Sequence, residues 1–340
     1  MRHIILICAL LAVTHPVQAL TFKIATIAPD GTAWMNEMRK GADEIKQRTD
    51  GRVKFRFFPG GIMGNDKSVL RKIRIGQLHG GAIVSGGLTA IYPDIGIYSV
   101  PFIFRTFEEV DYVRQKMDPL LVDGLKKKGF ISFGLAEGGF AYLMSNRSIK
   151  VVKDFKGQKV WVPQNDEVSR MAFESVGIKP ISLALSDVLT GLQTGLIDTI
   201  AGSASGAIAL QWHTRVKYLM DEPLSYLYAS MVVSNKRFKR LNSEDQLIVK
   251  EVMGNTFKRL NALNRKDDIS ARRALQDQGI SFVELAPQLT GQWFDIRTNV
   301  ERSMTQKGVL SKEIVNKLQK HLDEYRQPAI ASQHHQTSIN

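Results

Sequence analysis

The chain has 340 residues, 44% of them hydrophobic and 23% charged, with a formal net charge of +13. This is the composition of an ordinary globular protein. Its single cysteine, Cys8, lies in a segment expected to be removed, which excludes disulfides, thiolate catalysis and Cys-ligated metal from the mature protein. The Lys and Arg residues are scattered among apolar ones, so the positive charge reads as a solvated face, with attraction to an acidic membrane partner or an anionic leaflet as the sharper reading.

Residues 1–19 read as an export signal: Arg2 is the positive start, residues 4–13 are the apolar run, and Val17, Gln18 and Ala19 offer a cleavage site. The run is too short to span a bilayer, which takes about 20 residues. Periplasmic localisation follows, and nucleic-acid partners are excluded for an exported chain without a binding motif. A mature chain of about 320 residues exceeds what one core usually supports, so two domains are expected.

Strands and helices alternate, which predicts an α/β fold. Residues 20–25 read as a strand, and Trp34, Met38, Ala42 and Ile45 share one helical stripe. Val53, Phe55 and Phe57 alternate with basic residues as a half-buried strand, and Val69, Leu70 and Ile73 mark a short helix. Residues 81–85 read as a buried strand, and Thr106 with Glu109 forms a capping box. Residues 131–135 and 142–145 read as strands flanking Glu137-Gly138-Gly139. A short strand at 160–163 precedes a helix at 167–176. Ser186 is expected to cap a helix that Gly195 ends, and 227–233 read as a strand. Ser243 with Gln246 opens a pattern of about 35 residues, roughly 50 Å if unbroken, long enough to bridge two domains. A break near residues 264–268 is the alternative. From residue 328 the tail is polar and is expected to be disordered.

Catalytic chemistry is missing. The histidines make no metal-binding spacing, so no metal or other cofactor is expected. Residues 202–206 imitate a nucleophile elbow, but Ala204 stands where the serine would be. Residues 60–64 are glycine-rich without the Lys-Ser/Thr of a P-loop. Asp166 and Glu167 are adjacent at a helix start, where the macrodipole favours acids, and they point about 100° apart. No enzymatic activity is expected.

Ordered motifs carry a resemblance along nearly the whole mature chain. They are the Ala-Pro-Asp-Gly-Thr run at 28–32, Phe58-Pro59 through Gly64-Asn65-Asp66, Tyr92-Pro93 with Val100-Pro101-Phe102, residues 154–157 with Val162-Pro163, and residues 186–198. In these the chain resembles the periplasmic solute-binding proteins of tripartite ATP-independent (TRAP) transporters, the DctP family. The resemblance implies a two-domain periplasmic-binding-protein clamshell with a long bridging helix. It implies capture of a small molecule in the interdomain cleft and delivery to small and large integral membrane subunits of an ion-gradient-driven transporter. The expected lobes are 20–138 with 228–267, and 139–227 with 268–327.

Three positions depart from the family pattern. The arginine usually found two residues before the proline of the Val-Pro step, which grips a ligand carboxylate, corresponds to Trp161. A second arginine of some relatives corresponds to Ala141, and a frequent asparagine falls near Gly202. The remaining candidate lining is Val84, Ser85, Phe140, Tyr142, Ser203 and Trp212, with Asp166 or Glu167 available to pair a cation. That set predicts a neutral or apolar, aromatic solute over a small dicarboxylate. The alternatives are an organic acid in a shifted site, with Arg147 the nearest cation, or a sensory receptor.

Overall fold

The computed structural model describes residues 19–286 and 290–336. Its strands are β1 (Leu20–Ala25), β2 (Val53–Phe58), β3 (Gly80–Val84), β4 (Phe130–Ser132), β5 (Ala136–Ser145), β6 (Trp161–Pro163), β7 (Ile181–Leu183), β8 (Thr199–Gly202), β9 (Tyr218–Met220), β10 (Ser225–Ser234) and β11 (Ser281–Val283). The helices are α1 (Ala33–Arg48), α2 (Asp66–Arg74), α3 (Ser85–Leu88), α4 (Phe107–Lys127), α5 (Glu167–Glu174), α6 (Val188–Gln193), α7 (Ala204–Ala209), α8 (Asn235–Phe238), α9 (Ser243–Asp277), α10 (Thr290–Gln306) and α11 (Lys312–Gln336). Residues 1–18 of the expected export signal lie outside the described residues.

One mixed sheet runs β11-β9-β5-β10-β3-β1-β2, with β4 also on β10 and β8 also on β5. Strand β1 pairs in parallel with β2 and β3, as βαβ crossovers require, and α1 and α2 supply those crossovers. The long strands β5 and β10 pair antiparallel and belong to both halves of the sheet. Helix α9 is one unbroken helix of 35 residues. It packs against α1 on one half and α7 on the other, so it bridges them as the sequence pattern predicts.

Local chemistry explains most boundaries. Asn242 caps α9, its side chain accepting from Asp245 N, one residue earlier than the expected serine. Thr106 caps α4 through Glu109 N, but Glu109 reaches back to Arg105 N at 2.8 Å. Ser186 does not cap α6: its hydroxyl donates to Asp187 at 3.1 Å, and a short 3-10 turn leads into the helix. Glu137-Gly138-Gly139 lies inside β5 and forms an irregularity opposite Leu227 and Tyr228 instead of a turn. Helix α11 runs to Gln336, and residues 337–340 of the expected loose tail lie outside the described residues.

Candidate ligand-binding cleft

Trp161 opens β6, pairs in parallel with Ile181 of β7, and is 2% exposed. Its Nε1 donates to Leu183 O at 3.1 Å, so the indole has spent its only donor on the protein. The ring meets Trp212 edge-on at 5.4 Å between centroids. Trp212 in turn lies on Gly202, where a Cβ would come within 3.0 Å of Cζ3. Gly202 is therefore small so that an indole can approach.

Trp161 lines a partly open cavity of about 60 Å³. This is a narrow space beside the roughly 300–1,000 Å³ of a drug-sized ligand's pocket. Helix α5 and its flanks form one wall, with Asp166, Ser169, Ala172, Phe173 and Val176 recurring on one face. Ala141 and Leu143 of β5 and Ser225 and Leu227 of β10 form another, and Ser85, Ser99 and Phe102 face them. Phe155, Trp293 and Ile296 add aromatic and apolar surface to the lining.

Four expected residues line this cavity: Trp161, Ala141, Ser85 and Asp166. Phe140 and Tyr142 do not, because alternate residues of β5 turn to opposite faces. Phe140 packs on Phe107 at 4.7 Å, and Tyr142 lies under the Arg272 guanidinium at 4.6 Å. Trp212 and Gly202 stand behind Trp161 as its support, and Ser203 caps α7 by accepting from Gly206 N. Val84 ends β3 opposite Ala229 and is outside the lining. Glu167 is held by Arg170, and Arg147 is an exposed residue whose carbonyl accepts from Ser145 Oγ.

Sequence reasoning missed Phe102, Phe155, Phe173 and Trp293. Rings of Phe155 and Phe173 sit 5.8 Å apart, Phe155 and Trp293 6.0 Å, and Phe102 and Trp293 5.7 Å, which makes an aromatic box. Phe102 has φ +56, a strained setting for a bulky residue, held by its N–H to Leu224 O at 2.7 Å. The Pro-Phe step at 101–102 was visible in the sequence, but its backbone conformation was not.

Among the described residues no Lys, Arg or His lines the cavity, and Asp166 is the only ionisable group of the lining. Asp166 caps α5, accepting from Ser169 N at 3.0 Å and Ser169 Oγ at 2.7 Å. Burial pushes its carboxyl above the ordinary range, against the lowering effect of those hydrogen bonds. One N–H in the lining is unmatched: Trp293 Nε1, on a residue 3% exposed, has no hydrogen-bond partner. The Tyr228 hydroxyl gives its proton to Ile95 O, and its oxygen remains free to accept from Ser99 Oγ beside it. Among the described residues no His/Cys/Asp/Glu cluster has the makings of a metal site, and no helix is long and apolar enough to cross a membrane.

Comparison with known proteins agrees with this architecture. Residues 24–307 match the model of the DctP family, bacterial extracellular solute-binding protein, family 7. The chain is 23% identical over 276 residues to the C4-dicarboxylate-binding periplasmic protein DctP of Rhodobacter capsulatus, covering 79% of this chain and 82% of that one. A TRAP periplasmic solute binding protein from Desulfovibrio salexigens with bound orotic acid superposes with a TM-score of 0.82 at 18% identity, over 90% of this chain and 99% of that one. DctP7, a Bordetella pertussis extracytoplasmic solute receptor binding pyroglutamic acid, gives 0.81 at 20% identity, over 89% and 99%. With the family model spanning most of its length and the clamshell in place, the chain belongs to the DctP family of periplasmic TRAP solute-binding proteins, which bind solutes and are not enzymes.

Proposed function

We propose that this protein captures a neutral or predominantly apolar, aromatic solute and delivers it to the small and large membrane subunits of an ion-gradient-driven TRAP transporter. One observation carries the reading: the cavity beside Trp161 has aromatic walls and, among the described residues, no cationic side chain. Burying a carboxylate without a cation costs several kcal/mol, and an indole whose N–H is already committed cannot replace a guanidinium fork. In this reading Trp161 stands where relatives hold their carboxylate-binding arginine. Residues 20–138 with 228–267 form one lobe and 139–227 with 268–327 the other. Residues 1–19 are the export signal.

Closure works by differential contact, since a solute touching both lobes favours the closed form over the open one. The names of the relatives support a second reading, an organic acid, because those proteins are described with C4-dicarboxylate, orotic acid and pyroglutamic acid. Native mass spectrometry of the mature protein purified without added ligand, followed by denaturing extraction, separates the two. Tight ligands survive purification because they dissociate slowly. A retained apolar or aromatic neutral species is expected, and a retained small dicarboxylate would overturn the proposal.

A further inference from the structure

The cavity is polarised along α5. At the start of that helix Asp166 and Ser169 face Ser85 and Ser99, and two turns later Phe173 enters the aromatic box with Phe155 and Trp293. Seven residues of helix separate Asp166 from Phe173, about 10 Å at 1.5 Å per residue. The polar end holds a carboxylate 8% exposed, with no Lys, Arg or His beside it in the lining among the described residues. Its hydrogen-bond donors are Ser169 N–H and O–H, together with Val168 N–H. A carboxylate has about four acceptor sites, so capacity remains toward the cavity.

Helix capping alone does not account for this arrangement. Serine or threonine would cap α5 without placing a carboxylate in an apolar pocket, which is costly unless paired. The unmatched Trp293 N–H at the other end is an independent sign that the lining is completed by a bound molecule.

Resting on the reading of this cavity as the solute site, we propose that the solute has an apolar body seated in the aromatic box and a hydrogen-bond-donating head, hydroxyl or protonated amine, received by Asp166. Four probes with one body and different heads test it by calorimetry on the full mature protein: phenylbutylamine, phenylbutanol, headless butylbenzene and phenylbutanoate. The amine or the alcohol is expected to bind at least about tenfold tighter than butylbenzene, the value of one hydrogen bond to a charged acceptor. Asp166→Ser still caps α5 but withdraws the carboxylate, and costs whichever headed probe binds at least about tenfold.

Asp166→Asn identifies the head. It keeps an acceptor and removes the charge, so an amine loses about thirtyfold or more while an alcohol loses less than about fivefold. Unchanged melting temperatures of both variants guard against misfolding. If butylbenzene binds as tightly as the headed probes, or Asp166→Ser binds them like the wild type, the proposal falls and the apolar cavity stands. If phenylbutanoate binds tightest, or none of the four binds at millimolar concentration, both fall.

Discussion

At Asp66 two rules pull in opposite directions. An acid in the first turn of α2 is favoured by the helix dipole, yet this carboxyl is largely buried, and desolvation raises it to about 7 despite a hydrogen bond from Val84 N–H. In the unfolded chain it titrates near 3.9. Between about pH 4 and pH 7 the native state therefore holds a proton that the unfolded state has lost, so this group's contribution to stability falls as pH rises through that window. The shift corresponds to up to about 4 kcal/mol. Asp66→Asn keeps an acceptor for Val84 N–H and removes the titration. Urea denaturation at pH 5 and pH 8 should show the variant gaining on the wild type at the higher pH by 1 to 4 kcal/mol, on the order set by that shift. A difference between the two proteins that does not change with pH would refute this. Residue types at the cleft were legible in the sequence, Trp161 and Asp166 above all. Which neighbours share their face was not, because the parity of Phe140 and Tyr142 depends on the irregularity at Gly138–Gly139, a feature of pairing with β10.

Strand β5 and helix α9 are fastened together at one place. Glu137 N–H donates to Asn261 Oδ1 at 2.8 Å, and Glu137 O accepts from Asn264 Nδ2 at 2.6 Å. Its buried carboxylate takes two hydrogen bonds from Arg265 at 2.9 and 2.6 Å, with Arg114 a further 3.9 Å away. Arg265 also reaches Asp111 of α4 and covers the Phe107 ring at 4.5 Å. Removing one partner of a buried pair leaves the other charge unmatched, so Arg265→Ala should destabilise the protein by about 3 kcal/mol in denaturant titration. Arg265→Lys should recover only part of this, since an ammonium cannot make both bonds to Glu137 and the stack on Phe107. A loss below about 0.5 kcal/mol would mean that the pair is no more than a surface contact. Periodicity made the full length of α9 legible. It could not show that Glu137-Gly138-Gly139 belongs to a continuous strand, because two glycines in a row, Gly139 at φ +81, look like a turn until the partner is known. Gly139 is required there for a second reason: a Cβ would sit 3.0 Å from Asp268 Cγ of α9.

At the scale of the molecule, the segments around α3 meet those around α5. Asn65 Nδ2, just before α2, donates to Gln164 Oε1, just after β6, at 2.7 Å. Beside that link the backbone of α3 lies against Asp166, and a Cβ at Gly86 would stand 3.0 Å from Asp166 Cβ. Family motifs made the clamshell legible in the sequence. Its contact surface was not, since Gly86 and Asp166 are eighty residues apart and neither carries a periodic signal. In the lobe division proposed above, Gly86 and Asp166 approach across the cleft, and the glycine lets the closed form shut fully. An added methyl would be relieved by a few tenths of an ångström of opening, because Asp166 is tethered to α5 by its own hydrogen bonds. Gly86→Ala should therefore leave the melting temperature of the unliganded protein nearly unchanged while speeding release of bound solute. Losing about 1 kcal/mol of closed-state contact gives roughly fivefold faster dissociation. Stopped-flow tryptophan fluorescence would read it, Trp161 and Trp293 both lining the cavity. Equal release rates in variant and wild type would show that closure does not run through the Gly86 contact.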